Sequence, residues 1–281
     1  MMPSRLLSHL PTDLQVATID FKHTTMLDSH SHIYCDAFDN DREAVVARAR
    51  EAGVRHVILP NENLESVPRL AAMREQYPGY ISMTLGLHPE DVHDDYHDVL
   101  DQMRPMFDQY PVIAIGEIGI DLYWDKTWRI QQQHALDIQL HWCHELDLPF
   151  IIHCREGLDD ILDVIDHLDC PVPRGVFHSF TGTPEDVARI RQRGDFYFGV
   201  NGIVTFKKSA VPQLLPVIGL DRLLLETDSP YLAPVPNRGK RNESANIPYI
   251  NAFIGNALGV NPEEVSAATD RNAASLFGLE L

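Results

Sequence analysis

Short apolar runs alternate with amphipathic stretches along most of the chain, starting near Met26. Eight of the runs are typical of β-strands, and they lie at 25–28, 56–59, 81–87, 112–116, 150–152, 175–177, 195–200 and 222–226. Four of the stretches between them have helical spacing, at 41–53, 130–147, 157–168 and 183–194. Thr183–Pro184 is typical of a helix start, and Gly53 and Gly194 are typical of helix ends.

The regular alternation of strands and helices indicates a single (β/α)8 TIM barrel, since eight such units fill about 250 residues. An open doubly wound sheet is the alternative, but it normally has fewer strands and a glycine-rich first turn. No G-x-G-x-x-G motif follows the first run, and no Pro/Ser-rich linker divides the chain. We therefore predict a short N-terminal extension over residues 1–25 and a barrel over residues 26–281.

Composition narrows the class of protein. The 281 residues are 44% hydrophobic, which is ample for one large core. No apolar run approaches the roughly 20 residues of a membrane span, and the N-terminus is not a convincing secretory signal. The four cysteines form no C-x-x-C pair, so we expect a reduced, cytoplasmic protein, and we expect it to be monomeric. The formal net charge of −18 argues against broad wrapping of nucleic acid but allows a local cationic site.

Ionisable side chains recur where the predicted strands end. The stretch LDSHSH ends the first run, and His30 and His32 within it would lie on one face because alternate residues of a strand share a face. A solvated loop with chance histidines is the alternative for this stretch alone. Later runs end in His88, Glu117, His153, His178 and Asp228. In a barrel, the carboxyl ends of all strands meet at one rim, where active sites lie.

Six of these side chains form a predicted metal site. They are His30, His32, Glu117, His153, His178 and Asp228. Four imidazoles and two carboxylates exceed the ligand set of one tetrahedral ion and suit two divalent ions with a bridging carboxylate, for which Glu117 is the candidate. Imidazole favours Zn, Mn or Co over ions that prefer oxygen ligands, although the sequence leaves the identity open and Mg stays a candidate. Asp228 is also the predicted proton acceptor for an attacking water, and Asp228 and Glu117 are therefore the predicted catalytic residues.

Further side chains near the predicted rim have two interpretations. His88 either caps its strand or contacts substrate, and Asp121 either caps a helix or orients a metal ligand. Tyr123 and Trp124 either stack on a base or plug the barrel mouth. Six cations either form a short phosphate-binding track or belong to solvated loops: Arg155, Lys207, Lys208, Arg238, Lys240 and Arg241. We predict that His88 and all of these cations except Lys208 bind substrate.

Eight segments, in their order and spacing, resemble those of the TatD-like metal-dependent deoxyribonucleases, a branch of the amidohydrolase-type barrels. The segments are LDSHSH, TLGLHPED, IGEIGIDLYW, LPFIIHCRE, VFHSFTGT, FGVNGIVTFKK, LLLETDSPYL and NRGKRNES. The resemblance as a whole extends from about Leu27 to Phe277. Two departures are Ser244 in place of a common proline and a longer leader. The resemblance places the family's metal ligands on the same six residues.

The resemblance implies a divalent-metal-dependent hydrolase, most simply a deoxyribonuclease that trims single-stranded DNA ends as an exonuclease with two metal ions. A small-molecule amidohydrolase or phosphoesterase on the same scaffold is the alternative. Relatives of that kind often carry a carbamylated lysine on the fourth strand, where this chain has Glu117 and no lysine. A binding module that has lost catalysis is a third possibility, but the six ligands are intact.

Overall fold

Eight parallel strands form one sheet in the computed structural model, which describes residues 25–280. Along the sheet the strands follow their order in the chain, as expected for a (β/α)8 barrel. They are β1 (Met26–Asp28), β2 (Val54–Leu59), β3 (Ile81–Leu85), β4 (Val112–Asp121), β5 (Phe150–Arg155), β6 (Gly175–Phe177), β7 (Tyr197–Val200) and β8 (Leu223–Leu225). The predicted fold class is confirmed.

Backbone hydrogen bonds join the last strand to the first. The amide of Ser29 donates to the carbonyl oxygen of Leu225 over 2.9 Å. Just beyond the strands, Asp228 N–H donates to the carbonyl oxygen of His30 over 2.9 Å, and His32 N–H donates to that of Ser229 over 2.7 Å. These bonds close the barrel at its carboxyl end.

Nine α-helices surround the strands in the described part of the chain. They are α1 (Arg42–Glu51), α2 (Val67–Gln76), α3 (Tyr96–Met103), α4 (Arg129–Leu146), α5 (Leu158–His167), α6 (Pro184–Arg191), α7 (Val211–Ile218), α8 (Ile247–Leu258) and α9 (Pro262–Phe277). The four helices that the sequence indicates correspond to α1, α4, α5 and α6. Thr183 caps α6 as predicted, since its hydroxyl accepts a hydrogen bond from the backbone of Asp186. None of the helices within residues 25–280 combines the length and apolar character needed to cross a bilayer.

A small apolar cluster fills the barrel below its carboxyl-end rim. It contains Leu27, Ile58, Ala114, Ile151, Val176 and Leu224 from the strands, with Ala273, Leu276 and Phe277 of α9 packed against them. Ile151 shares its strand face with His153, and Val176 points to the same side as His178. The apolar layer therefore forms the floor on which the polar rim residues lie.

Three strands are longer than the sequence pattern predicts, and one of them, β2, begins two residues earlier, at Val54. β4 continues to Asp121 and β5 to Arg155, where Gly119 pairs with His153 and Asp121 with Arg155. Glu117, Asp121 and His153 therefore lie within strands rather than beyond them, because pairing between neighbours extends the strands past the apolar run. β3 is shorter than predicted and ends at Leu85. The predicted N-terminal extension, apart from Thr25, lies outside the described residues.

Asp270 of α9 ties the helix layer to the start of the barrel. Its Oδ1 accepts a 2.9 Å hydrogen bond from the backbone N–H of Leu27, and its Oδ2 lies 2.9 Å from Nη2 of Arg55. The Leu27 amide is buried, so this acceptor replaces water.

We expect Asp270→Ala to lower the free energy of unfolding by about 1–3 kcal/mol, because it leaves a buried N–H without an acceptor. Urea unfolding followed by circular dichroism measures this change. Asp221→Ala is the control, since the Asp221 side chain is 76% exposed and its replacement should change stability by less than about 0.5 kcal/mol. Equal stability of the Asp270 variant and the wild type would contradict the role given to this carboxylate.

Candidate metal centre

A cavity of about 550 Å³ opens at the carboxyl-end rim of the barrel. We call it the main cavity. Its walls include five of the six predicted metal ligands, which are His32, Glu117, His153, His178 and Asp228. The sixth, His30, is fully buried directly beside them.

One oxygen of the Glu117 carboxylate faces a first group of donor atoms. Oε2 of Glu117 lies 3.2 Å from Nε2 of His30 and 3.8 Å from Nε2 of His32. The two imidazole nitrogens are 3.2 Å apart, and Oδ1 of Asp228 lies 3.8 Å and 3.5 Å from them. Four donor atoms from β4 and from the segments after β1 and β8 thus converge on one point.

The other oxygen of Glu117 faces a second group. Oε1 lies 2.7 Å from Nε2 of His178 and 2.9 Å from Nδ1 of His153. Nε2 of His88 is 3.6 Å from the same oxygen. Glu117 therefore stands between two sets of imidazoles and presents one oxygen to each.

The backbone around Glu117 holds its carboxylate in this central place. Asn61, just after β2, exchanges backbone hydrogen bonds with both sides of the Gly116–Glu117 peptide, at 3.1 Å and 2.8 Å. Gly119 has φ of 140°, and a Cβ there would collide with the carbonyl oxygen of His153. Only glycine therefore allows β4 and β5 to approach closely enough for their polar side chains to meet.

Two of the histidines donate hydrogen bonds away from the centre, which fixes their tautomers. Nδ1 of His32 lies 3.0 Å from the hydroxyl of Tyr34, which in turn donates to Oε2 of Glu62 over 2.8 Å. Nε2 of His153 lies 2.8 Å from Oδ2 of Asp121. When these rings are neutral, the nitrogen that faces the centre carries the lone pair, which is the form that ligates metal.

A buried carboxylate also lies behind His178. Oε1 of Glu226 is 3.6 Å from Nδ1 of His178 and accepts a 2.6 Å hydrogen bond from the backbone N–H of Ser179. Glu226 is 1% exposed. A buried carboxylate on this side favours a proton on Nδ1 and a lone pair on the nitrogen that faces Glu117.

The close carboxylates raise the pKa values of His153 and His178, whereas burial lowers the pKa of His30. Burial opposes a charge on His153, but its hydrogen bonds to Asp121 and Glu117 outweigh burial and raise its pKa to about 9. Burial likewise opposes a charge on His178, yet the negative charge of Glu117 raises its pKa well above the usual value. Burial would raise the pKa of Glu117, but the charges of His178 and His30 hold it well below its ordinary range. Because a metal ion binds neutral imidazole, metal binding at this site releases protons.

The donor set fits divalent cations. Imidazole lone pairs and carboxylate oxygens from distant parts of the chain converge within 4 Å, and both sides of Glu117 carry such a set. The lone pairs of two donor atoms this close repel each other unless a proton or a cation lies between them. The chemistry is that of an imidazole-rich site for divalent metal ions.

His88 differs from the other histidines of the cavity. Its Nδ1 accepts a 3.1 Å hydrogen bond from the backbone N–H of Glu90. In the neutral ring the proton is therefore on Nε2, which faces the cavity as a donor. This tautomer suits a contact with a substrate oxygen better than metal ligation.

The structure separates the predicted substrate-binding cations into three sets. Arg155 lines the main cavity, and its Cζ lies 3.7 Å from the centre of the Tyr123 ring. Lys207 and Arg238 line a second opening of about 580 Å³, together with Ile203, Phe206, Lys208 and Ser209; we call it the basic cavity. Ile203 lines both cavities, so the two adjoin.

Arg241 and Lys240 line neither cavity. The Arg241 guanidinium donates to both oxygens of Asp41, at 2.8 Å and 2.7 Å, and to the carbonyl oxygen of Ala37. Lys240 is exposed and lies 3.4 Å from the side-chain oxygen of Asn237. An ion pair with a residue 200 positions earlier engages the Arg241 guanidinium, and its role in substrate binding stays a prediction.

Three polar residues of the site were missed by sequence reasoning. Glu62 lines the main cavity, while Tyr34 and Glu226 are buried behind the histidines. Glu62 follows the end of β2 by three residues, so the strand-end rule could have found it. Glu226 directly follows β8, but the prediction for this strand end named Asp228, two residues later.

Comparison with known proteins agrees with this geometry. The family model of TatD related DNase matches residues 27–278. The chain is 36% identical to the 3'-5' ssDNA/RNA exonuclease TatD of Cronobacter sakazakii, over 90% of this chain and 97% of that protein. It is 34% identical to the uncharacterized metal-dependent hydrolase YabD of Bacillus subtilis, over 90% and 98% of the two chains. The crystal structure of YJJV, a TatD homologue from Escherichia coli, superposes with a TM-score of 0.83 at 31% identity, covering 91% of this chain and 98% of that chain.

We expect Tyr34→Phe to weaken metal binding about 10- to 100-fold, because the hydroxyl that orients His32 is lost. Competition with a chromophoric chelator measures the affinity. Tyr96→Phe is a matched control, since the Tyr96 hydroxyl contacts His134 at 3.2 Å outside the main cavity. If both variants bind metal as tightly as the wild type, the Tyr34 contact does not position a ligand.

Proposed function

The chain belongs to the family of TatD-related DNases, and we propose that it removes nucleotides from the 3' ends of single-stranded DNA or RNA. It is a metal-dependent hydrolase that acts on ester bonds. The name of the Cronobacter sakazakii relative states this polarity and this single-stranded substrate for that protein, and the proposal extends both to this chain. Deoxyribonuclease activity was the prediction from the sequence, and the family supports it.

The observation that carries the proposal is the division of Glu117 between two donor groups. We propose two divalent ions, one held by His30, His32 and Asp228, the other by His153 and His178, with Glu117 shared between them. Two such ions would stabilise both the attacking and the leaving oxygen during hydrolysis of a phosphodiester. Mn, Zn and Co are the favoured ions, and Mg is a further candidate.

When bound, the cations lower the pKa of water and neutralise the charge that develops on the phosphate. The protein's own side chains then supply proton transfer and orientation. Asp228 lies at the cavity wall with its pKa held low, since its hydrogen bond to His32 outweighs burial, so it is ionised and able to accept a proton. The proton on Nε2 of His88 is placed to donate to a phosphate oxygen.

A small-molecule amidohydrolase is less well supported. Its relatives' bridging lysine has no counterpart in β4, whose sequence VIAIGEIGID contains no lysine. The organophosphorus hydrolase of Deinococcus radiodurans shares the fold, with a TM-score of 0.61 at 17% identity. At that identity the likeness concerns the fold alone.

We also propose a cytoplasmic location, because the four cysteines of the chain are free thiols, as is usual in a reducing compartment. The monomeric state stays a prediction.

We expect the metal-loaded protein to shorten a 5'-labelled single-stranded oligonucleotide stepwise from its 3' end, and a chelator to stop the reaction. Asp228→Asn should lower kcat at least about 100-fold, because the amide cannot accept the proton. Asparagine tolerates the left-handed backbone of this position, where φ is 55°, so the fold should persist.

Gel analysis of the products measures both effects, with circular dichroism as the check on folding. Hydrolysis of small esters without any shortening of oligonucleotides would favour the amidohydrolase. Undiminished turnover of the Asp228 variant would remove this residue from the mechanism.

The basic cavity is the proposed path of the strand beyond the reacting phosphate. Lys207, Lys208 and Arg238 line it, and no carboxylate among residues 25–280 forms an ion pair with them. The Arg238 guanidinium lies 4.2 Å from the centre of the Phe206 ring, which holds it in place without neutralising it. Unpaired cations in so acidic a protein favour phosphate.

We expect Arg238→Ala to raise KM for a single-stranded oligonucleotide about tenfold with little change in kcat, since a charge-assisted hydrogen bond to phosphate is lost. Arg241→Ala is the matched control, because Arg241 also stacks on a phenylalanine, Phe38, yet is bound by Asp41. Steady-state kinetics measure both variants. Equal KM values for the two would contradict the proposed path.

A further inference from the structure

Large apolar side chains are exposed at six places in the described part of the chain. They are Tyr123, Trp124, Ile130, Val217, Tyr231 and Val235. The three aromatic ones all belong to segments that follow β4 or β8 at the carboxyl-end rim. Trp124 is 72% exposed and Tyr231 is 58% exposed, and both line the main cavity.

Trp124 and Tyr231 lie on opposite sides of the cavity mouth. Trp124 follows β4 and Tyr231 follows β8, and strands four positions apart in a ring of eight face each other across the barrel. Tyr231 is on the side of the first donor group, with its ring centre 6.4 Å from that of His32. The metal centre lies at the floor between the two rings.

The surroundings leave a face of each ring open. Tyr123 packs edge-on against Trp124, with ring centres 4.7 Å apart and planes at 85°, and Arg155 covers the Tyr123 ring. Tyr123 and Arg155 thus support Trp124 from one side. Tyr231 is tied by its backbone N–H to the carbonyl oxygen of Asp228, while its side chain projects into solvent.

Carboxylates predominate among the charged side chains of the main cavity, so a nucleic acid needs a source of binding energy there other than charge. Glu62, Glu90, Glu117 and Asp228 line it, against the single guanidinium of Arg155. Bound cations offset the carboxylates at the floor, but Glu62 and Glu90 remain near the entrance. Stacking on an aromatic ring binds a nucleobase without relying on charge, and every base has a face to offer.

We infer that Trp124 and Tyr231 each stack on an unpaired nucleobase, so that the bases on the two sides of the reacting phosphate are held at opposite edges of the mouth. This inference rests on the proposed nuclease function. A base within a duplex has both faces covered and its edge paired, so it cannot reach either ring without melting. The two rings therefore make the site specific for single strands.

The test combines ring removal with base removal. Trp124→Ala and Tyr231→Ala are compared with the wild type on a single-stranded oligonucleotide, and on the same strand lacking either its 3'-terminal or its penultimate base. Each alanine variant should raise KM about 5- to 150-fold on the intact strand with kcat changed less than about threefold. On the strand that lacks the base bound by that ring, the same variant should have no further effect.

The controls use the same substrates. Trp124→Phe and Tyr231→Phe keep an aromatic face and should restore KM to within about threefold of the wild type. Ile130→Ala removes an exposed apolar side chain that lines neither cavity and should leave KM unchanged.

Two results would overturn the inference while the nuclease function stands. One is KM within twofold of the wild type for both alanine variants. The other is a base-removal effect that persists in full in both variants. If the wild type shortens no oligonucleotide at all, the proposed function itself fails, and that outcome is visible before any variant is tested.

Discussion

The buried carboxylate of Glu117 is the group on which the fold and the site both depend. It is 2% exposed, so water cannot stabilise its charge, and imidazoles of the protein or cations must do so instead. Its neighbours His30, His153 and His178 come from three other strands or strand ends. Only a ring of parallel strands whose carboxyl ends meet at one rim can surround a single carboxylate in this way.

The seam between β8 and β1 has few backbone hydrogen bonds to hold it, since each of the two strands has only three residues. Polar side chains reinforce it. Both oxygens of Asp28 accept hydrogen bonds from Thr227, one from its backbone and one from its hydroxyl, at 2.9 Å and 2.6 Å. The same seam places Asp228 beside His30 and His32. The hydrogen bonds that join the two short strands therefore also position the first donor group.

Sequence reasoning could find the fold and the six central residues because strand ends are visible in the sequence. A histidine or carboxylate at the end of an apolar run indicates a position at the rim, and parallel strands bring all such residues together. Contacts between distant segments are not visible. The pairing of β4 with β5 places Glu117 and His153 within strands, and Arg241 meets Asp41 only in the folded chain. Tyr34 was missed for the same reason, since its hydroxyl acts through His32 and Glu62 rather than on substrate.

The arrangement of the charged side chains explains how so acidic a chain can act as a nuclease. Many of its arginines are bound to carboxylates, as Arg174 is to Asp147 and Arg222 is to Asp195, and such pairs leave little positive potential for long-range attraction of a nucleic acid. The carboxylates of the main cavity would repel a phosphate as well. Cations held around Glu117 would reverse the sign of the potential only at the floor, within a few ångströms of the ligands. Attraction of this short range would act on a phosphate that is already at the mouth, and the unpaired cations of the basic cavity would continue it for a short length of strand. Beyond these points the chain, with its formal net charge of −18, offers little attraction to a long duplex.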